Sequence, residues 1–162
     1  MADLSEPRVI AVGGPTASGK TALSVALAKT FDGEIINADS MQLYKGLDIG
    51  TAKPSPEEQQ GIPHHLLDFL PPETAYSVAD FTAAADPLIR EIAGRGRLPF
   101  VVGGTGLYIT SLLNGMSFAP EKTDPAIRAR LQAQADAGDG AALYARLQQI
   151  DPDYAALVHP NN

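Results

Sequence analysis

One eight-residue segment limits the fold of this chain more than any other feature. It follows the pattern G-x-x-x-x-G-K-[ST], which occurs where a buried strand turns into a helix. A short apolar run, residues 8–12, precedes it, and a segment of helical periodicity follows it. In such a loop the backbone N–H groups and the helix N-terminus bind phosphate oxygens. The segment consists of Gly14, Pro15, Thr16, Ala17, Ser18, Gly19, Lys20 and Thr21.

Two side chains of this loop carry defined chemistry. Lys20 supplies a mobile positive charge for a phosphate, and the hydroxyl of Thr21 is a candidate ligand for Mg²⁺. A glycine-rich turn with only a structural role is the alternative interpretation. Because the pattern and its strand and helix context agree, the sequence favours a phosphate-binding loop over that alternative.

Hydrophobic periodicity after the loop predicts an amphipathic helix that covers a sheet. Apolar residues and a threonine recur at positions i, i+3, i+4, i+7 and i+8, which places them on one side of a helix. Gly33 follows as a helix stop, and residues 34–38 predict a second strand. A strand, a helix and a strand within about thirty residues indicate a parallel, right-handed unit. The residues of the stripe are Leu23, Ala26, Leu27, Thr30 and Phe31.

Prolines divide the middle of the chain. Residues 45–76 contain five prolines, which predict an irregular segment. Ser77 and Asp80 then form a capping-box pattern that begins a helix ending near Gly94, and Pro87 inside this helix predicts a kink. The expected buried stripe of the helix consists of Phe81, Ala84, Ala85, Leu88, Ile89 and Ile92.

The last part of the chain combines a third predicted strand with a set of short helices. Residues 98–102 predict a third strand, which runs into a glycine-rich turn at 103–106 and a helix through about Leu113. After Pro120, short helices rich in Ala and Gln are expected to begin near Pro125 and Pro152, and they form a separate helical layer. The sequence therefore predicts an α/β fold, a P-loop NTPase-like parallel sheet flanked by helices, with additional helices after it.

Composition excludes several kinds of site. The chain has no cysteine, which excludes disulfides, cysteine-ligated metal centres and a thiol nucleophile. No stretch approaches about 18 consecutive apolar residues, and the first residues show no secretory pattern, so we expect neither a membrane span nor a signal peptide. Twelve basic against nineteen acidic residues give a net charge of −7, which taken alone argues against a general binder of nucleic-acid phosphates.

Asp39 is the candidate reactive group outside the loop, because ligands of parallel sheets bind beyond the carboxyl ends of the strands. From its position alone it could bind magnesium, act as a general base or cap the following turn. Thr105, in the turn after the third strand, is expected to approach the same place. No acid ends the third strand, which weakens an interpretation as a nucleotide hydrolase.

His64 and His65 are adjacent and invite comparison with a metal site. Adjacent residues of an extended segment point in opposite directions, and no third ligand lies at a useful spacing. A structural or substrate-contact role is the better interpretation. Arg128 lies near the start of a helix, where a solvated charge and a ligand contact are equally consistent with the sequence.

Six sequence blocks together resemble the tRNA dimethylallyltransferases, the isopentenyltransferases of bacterial tRNA modification. They occur in the order typical of that family, cover residues 8–118 most clearly and are far more specific than the phosphate loop alone. A further block, His159-Pro160-Asn161, resembles the His-Pro-Asn-Asp of the family, with Asn162 in place of the Asp. The six blocks are residues 14–21, 36–44, 50–54, 63–65, 76–81 and 103–108.

The resemblance implies transfer of a dimethylallyl group from dimethylallyl diphosphate to the exocyclic N6 of the adenosine immediately 3′ of the anticodon, with release of pyrophosphate. The loop would bind the diphosphate together with Mg²⁺, Asp39 would take the proton from N6, and Thr105 would orient the amine. The adenosine must first leave its stack in the anticodon loop. The tRNA contacts implied are Asp39, Ser40, Met41, Gln42, Thr105 and Arg128.

The resemblance also sets expectations for the whole protein. Family members are nearly twice as long and continue with basic segments and an anticodon-binding surface. Residues 1–118 would then be an incomplete catalytic core, and residues 119–162 the beginning of a helical insertion domain that faces tRNA. We therefore expect the chain alone to transfer prenyl groups poorly. A cytoplasmic monomer is expected, and ATP is a second ligand that the loop pattern admits.

Two other functions stay open at this point. A P-loop small-molecule or nucleotide kinase would share the loop and an Asp at the second strand end. Between Lys45 and Tyr76, however, the sequence has no arginine that could form a lid over transferring phosphates. A non-catalytic diphosphate-binding fragment is the other alternative, and it would bind dimethylallyl diphosphate with Mg²⁺ without turnover.

Overall fold

Four parallel strands form the centre of the computed structural model, which describes residues 7–116 and 124–159. The strands are β1 (Ile10–Gly13), β2 (Gly33–Asn37), β3 (His64–His65) and β4 (Leu98–Gly103), and their order in the sheet is β1-β4-β2-β3. The chain divides into two compact units, Met1–Ser117 and Phe118–Asn162. The sheet lies in the first of these.

The predicted strand, helix and strand unit is parallel, but its two strands are not neighbours. β1 pairs with β4, and β4 pairs with β2, so that β4 lies between them. The connecting helix, α1 (Lys20–Thr30), packs against the sheet. Because all strands run in the same direction, the turns that follow β1, β2 and β4 meet at one edge of the sheet.

Helices cover both faces of the sheet, as predicted. Neighbouring strand residues point to opposite faces. Ile35 and Phe100 therefore pack with Val25 and Ala28 of α1. On the other face, α3 (Val78–Gly94) and α4 (Gly106–Leu113) complete a larger core. Its buried members are Ile36, Ala38, Leu43, Phe81, Ala85, Ile89, Ile92, Val101 and Tyr108.

The periodicity predicted the wrong face of α1 for contact with the sheet. Ser24, Val25 and Ala28 are the buried residues of this helix, whereas Leu23 and Phe31 are 54% and 55% exposed. The phase of α1 is set by its start at Lys20, directly after the glycine-rich turn. With that start, small residues and one valine meet the sheet, and Leu27 of the predicted stripe packs partly buried beside them. Leu23 and Phe31 fall on the flank.

The segment 45–76 is mostly irregular, as predicted, but it contains two short elements. Helix α2 (Pro56–Gln59) begins with a capping box formed by Ser55 and Glu58, and Pro56 lies in its first turn, where the missing N–H is harmless. The two-residue strand β3 pairs with β2. The capping box predicted for α3 is present, and the helix continues through Pro87 to Gly94.

The second unit is helical, with α5 (Pro125–Asp136), α6 (Gly140–Ile150) and α7 (Pro152–Ala155). α5 and α7 begin at the prolines that the sequence indicated, and the side chains of Asp124 and Asp151 cap their N-termini. The hydroxyl of Tyr144 donates to the carbonyl of Ala155 and links α6 to α7 at 3.1 Å. Of the block at 159–161, only His159 lies within the described residues. Among the helices described, none has both the length and the apolar character needed to cross a membrane.

Candidate functional site

A cavity of about 330 Å³ opens at the edge of the sheet where the parallel strands end. One wall is the glycine-rich loop, of which residues 16–21 line the cavity. Asp39, in the turn after β2, also lines it. So do residues between β2 and β3, His64 of β3 itself and the ends of β2 and β4: Gln42, Ala52, Pro54, Glu58, His64, Asn37, Val102 and Gly103.

The loop has the geometry expected of an anion-binding turn. Gly19 has φ 82° and Ala17 has φ 62°, both in the left-handed region. This backbone turns the chain sharply into α1, so that the helix N-terminus faces the cavity, and the first turn of α1 carries no acidic residue. The Nζ of Lys20 donates to the carbonyl of Pro15 at 2.5 Å. Loop amides, a helix terminus and an ammonium group therefore make this wall rich in donors.

Asp39 has one of the roles that its position left open, and it also lies in the lining of the cavity. Its Oδ1 accepts a hydrogen bond from the backbone N–H of Met41 at 3.0 Å, so the carboxylate caps the turn after β2. The same side chain lines the cavity. A Cβ on Gly104 would lie 3.3 Å from its Oδ2, and a Cβ on Gly103 would lie 2.1 Å from the carbonyl oxygen of Ala38. Glycine at 103 therefore lets the turn after β4 approach the turn that carries Asp39.

Thr105 approaches the turn after β2, as expected, but its hydroxyl is already bound. It accepts from the backbone N–H of Ser40 at 2.9 Å and donates to the Oγ of Ser40 at 3.2 Å. Neither residue lines the cavity, and Met41 beside them is half exposed. The orientation of a substrate amine by Thr105 stays a prediction.

Gln42 was expected only as a tRNA contact, and the structure gives its side chain a defined orientation. Its Nε2 donates to the carbonyls of Thr51 and Ala52 at 2.9 and 3.0 Å. The side chain thereby joins the turn after β2 to the loop 45–54. Arg128 lies on α5 in the second unit and is exposed.

The two adjacent histidines point in different directions, as the sequence indicated. His64 lines the cavity, and its Nδ1 lies 2.8 Å from the carbonyl of Ile62, so this nitrogen must carry the hydrogen. Burial is the main cause that lowers the pKa of His64. His65 instead places its Nε2 2.7 Å from the Glu34 carboxylate.

Sequence reasoning missed two polar centres of the first unit. Lys53 has a side chain only 6% exposed and donates to the carbonyl of Tyr44 and to Asp48 and Asp68 at 2.6 to 2.7 Å. Glu34 is buried inside β2 and accepts from His65, Arg95 and Arg97. A glutamate within an apolar strand is the one sequence signal that could have indicated the second centre.

Comparison with known proteins identifies the family. The sequence model of the IPP transferases matches residues 42–162. The chain belongs to this family. A tRNA dimethylallyltransferase of Anaeromyxobacter sp. (strain K) is 54% identical to this IPP transferase chain over 155 residues, which are 96% of the chain and 50% of that relative. The chain thus spans about half the length of the curated relatives that it matches.

Solved structures share the fold as well. The full-length tRNA isopentenylpyrophosphate transferase of Bacillus halodurans is 49% identical with a TM-score of 0.70, over 97% of this chain and 52% of that protein. A eukaryotic dimethylallyltransferase acting on tRNA is 35% identical with a TM-score of 0.84, over 97% of this chain and 39% of that protein. The predicted P-loop NTPase-like sheet is confirmed by these likenesses to IPP transferases.

Proposed function

We propose that this chain forms the diphosphate-binding and proton-accepting part of a tRNA dimethylallyltransferase. The reaction transfers the dimethylallyl group from dimethylallyl diphosphate to N6 of the adenosine immediately 3′ of the anticodon and releases pyrophosphate. One observation carries the proposal. In a chain of the IPP transferase family, the donor-rich loop and Asp39 line the same cavity.

The loop side of the cavity suits the leaving group. When the allylic C–O bond breaks, negative charge grows on the pyrophosphate, and donors fixed in advance at that place stabilise it. The amides of residues 16–21, the N-terminus of α1 and the ammonium group of Lys20 are such donors. Lys20 would exchange the carbonyl of Pro15 for a phosphate oxygen, because a charged acceptor makes the stronger hydrogen bond.

The cavity could bind Mg²⁺ with few ligands from the protein. Thr21 lines the cavity, and its hydroxyl offers the hard oxygen atom that Mg²⁺ prefers. Within the described parts of the chain, no group of three or more His, Cys, Asp or Glu side chains could hold a metal ion. A bound Mg²⁺ would therefore take its other ligands from the diphosphate and from water, and it would neutralise charge on the leaving group.

The Asp39 part of the cavity suits the nucleophile. Adenine N6 is a weak nucleophile, so a base must accept its proton as the N–C bond forms. Asp39, which lines the cavity, would accept this proton, and its bond to the N–H of Met41 fixes its orientation. The adenosine would leave its stack to reach this point. Residues 39–42 and Thr105 would contact it, and Arg128 of the helical unit 119–162 would contact the tRNA elsewhere.

The remaining properties follow from this assignment. The net charge of −7 is compatible with an RNA substrate because recognition in this part rests on one base and a diphosphate rather than on many phosphates. A cytoplasmic, monomeric enzyme that binds prenyl diphosphate in preference to ATP is the form we propose.

The test uses the chain extended with the C-terminal half of the Anaeromyxobacter relative, hereafter the extended protein, and an anticodon stem-loop. We expect the extended protein to prenylate N6 and Asp39→Asn to lose at least about a hundredfold in rate, as expected when a general base is removed. Dimethylallyl diphosphate binding should persist in this variant. Asp86→Asn, an exposed aspartate of α3, is the matched control and should keep full activity. Loss of both transfer and diphosphate binding in Asp39→Asn would contradict the role of this residue as base.

The chain without its extension is the second arm of this test. We expect it to bind dimethylallyl diphosphate with Mg²⁺ and to transfer the prenyl group far more slowly than the extended protein. Equal rates would contradict the proposal that residues beyond this chain supply the tRNA-binding surface. An ATP-dependent phosphorylated product would support the kinase alternative instead.

A further inference from the structure

His64 lies on the face of the sheet that α1 covers. It is in register with Ile35 of β2, and Ile35 packs with Val25 of α1. Consecutive strand residues point to opposite faces, so His65 lies on the other face. This placement explains why His64, and not His65, lines the cavity together with loop residues 16–21. One histidine ring is thereby brought to the phosphate-binding site by the strand pairing.

The ring of His64 has one nitrogen in use and one available. Its Nδ1 donates to the carbonyl of Ile62 at 2.8 Å, so in the neutral ring Nε2 carries a lone pair and can only accept. Among the described residues, Nε2 has no hydrogen-bond partner, and it is not one of their buried unsatisfied atoms, so it is accessible to solvent. Nε2 is therefore the polar atom that His64 can present to a ligand.

The charges around His64 leave the ring neutral before a ligand binds. In the part of the chain that the structure describes, no carboxylate forms an ion pair with it. Burial is the main cause that lowers the pKa of His64 from its ordinary value of 6.5, and the neighbouring His65 acts in the same direction. The charged residues of the cavity and of the elements around the ring are Lys20 and Lys29 of α1, Glu34 on the other face of β2, Asp39 after β2, and Glu57 and Glu58 of α2.

A bound diphosphate changes this balance. A prenyl diphosphate on the loop keeps a net negative charge even when Mg²⁺ is bound to it. A negative charge close to a histidine favours the protonated ring. Protonation converts Nε2 from an acceptor into a donor, and a charged donor makes a strong hydrogen bond to a phosphate oxygen. The bond from Nδ1 to the carbonyl of Ile62 is unaffected, because Nδ1 donates in both forms.

We propose that His64 is a diphosphate-binding residue that takes up one proton from solvent when prenyl diphosphate binds and donates from Nε2 to a phosphate oxygen. This inference rests on the proposed function. As the allylic C–O bond breaks, its electron pair leaves with pyrophosphate, and the growing negative charge strengthens the hydrogen bond from Nε2. The proton stays on His64 through this step and returns to solvent when pyrophosphate dissociates.

The test counts protons during binding. Isothermal titration calorimetry measures dimethylallyl diphosphate with Mg²⁺ binding to the extended protein, in buffers of different ionisation enthalpy and without RNA, so that no turnover occurs. The ligand's own titration is common to all variants. We expect the unmodified protein to take up more protons at pH 7 than His64→Gln, by up to about one per site. His64→Gln should also bind about tenfold more weakly, because a neutral amide replaces a charged donor.

The affinity difference should depend on pH. A histidine whose pKa is higher in the complex strengthens binding fully below its pKa in the free protein, and this contribution is lost as pH rises through the pKa in the complex. The difference in affinity between the unmodified protein and His64→Gln should therefore shrink as the pH is raised from 7 to about 9. A purely structural role of His64 would give no such pH dependence and no proton uptake.

His65→Gln is the matched control, because it makes the same substitution one residue away on the other face of the sheet. It should keep the proton uptake. Imidazole nitrogen NMR spectra of the unmodified protein give a readout that needs no substitution, since Nε2 of His64 should become protonated when the diphosphate binds.

Equal proton uptake in the unmodified protein and His64→Gln, or an Nε2 that stays unprotonated in the complex, would overturn the inference and leave the proposed function intact. Loss of the uptake in His65→Gln as well would overturn its assignment to His64. Failure of the unmodified extended protein to bind dimethylallyl diphosphate would overturn the proposed function and this inference with it.

Discussion

Single atoms decide how closely the strand ends of this protein approach each other. The turn after β4 reaches the turn after β2 because position 103 lacks a Cβ, which would otherwise lie 2.1 Å from the carbonyl oxygen of Ala38. Gly33 has a similar place at the start of β2, where a Cβ would lie 2.3 Å from the ring of Phe100. The sequence identified both glycines as turn or stop signals, but their packing role depends on neighbours that are distant in the chain.

Two buried serines provide a prediction at this scale. Ser24 and Ser111 are both almost fully buried. The hydroxyl of Ser24 donates to the carbonyl of Thr21 at 3.0 Å. The Oγ of Ser111 has no hydrogen-bond partner within the described structure. An unpaired buried hydroxyl costs free energy. Ser111→Ala should therefore leave the free energy of unfolding unchanged or raise it, and Ser24→Ala should lower it by about 1 kcal/mol.

Urea denaturation of the two serine variants provides the measurement. A clear loss of stability in Ser111→Ala would show that its hydroxyl has a partner in solution.

At the scale of elements, the loop between β2 and β3 is fixed by side chains rather than by secondary structure. Lys53 connects Tyr44, Asp48 and Asp68, and Gln42 connects the turn after β2 to Thr51 and Ala52. Burial tends to lower the pKa of Lys53, but its hydrogen bonds to the two aspartates outweigh this and raise it. The ammonium group is therefore charged at neutral pH, and one wall of the cavity depends on it.

Replacement of this ammonium group gives the second prediction. Lys53→Met should lower the free energy of unfolding by about 1–3 kcal/mol, because the carbonyl of Tyr44 loses its partner while the two exposed aspartates regain water. Lys45→Met is the matched control, since Lys45 is an exposed lysine of the same loop. It should change stability by less than about 0.5 kcal/mol.

Chemical denaturation of both lysine variants measures this difference. Equal effects would mean that the buried contacts of Lys53 do not stabilise the loop.

At the scale of the whole molecule, Glu34 links four parts of the first unit. It lies on β2 and accepts hydrogen bonds from His65 of β3, from Arg95 at the end of α3 and from Arg97 just before β4. Its side chain is 4% exposed. Burial raises its pKa, but the hydrogen bonds from the three partners outweigh burial, so that the pKa lies below its ordinary value of 4.5.

The lowered pKa of Glu34 predicts a pH dependence of stability. A carboxyl with a lower pKa in the folded state stabilises the protein above its unfolded pKa, and this contribution is lost as pH falls through the folded pKa. Glu34→Gln should therefore lower the free energy of unfolding by about 1.5–3 kcal/mol at pH 7. The difference from the unmodified protein should shrink below about pH 4.5.

Glu91→Gln is the control, because Glu91 pairs with the same Arg95 at the surface. Such an exposed pair contributes at most about 1 kcal/mol. Denaturation measured from pH 7 to pH 3.5 tests the prediction, and a constant difference across this range would contradict it.

The sequence alone determined the loop, its context and the parallel sheet. The pattern at 14–21, the apolar runs that became β1, β2 and β4 and the capping box at Ser77 all concern residues close in the chain. Such local signals depend on backbone conformation and helix start rules, which neighbouring residues fix. Asp39, in the turn after β2, could be placed at the ligand-binding edge for the same reason.

Only the tertiary structure decided which face of α1 meets the sheet, how the Gln42 amide is oriented and where Glu34 and Lys53 find their partners. The stripe at Leu23 and Phe31 matched the helical period, yet the position of Lys20 after the loop set a different phase. Glu34 and its arginines are separated by about sixty residues of sequence. Their contacts arise because β4 inserts between β1 and β2, and no local pattern encodes that insertion.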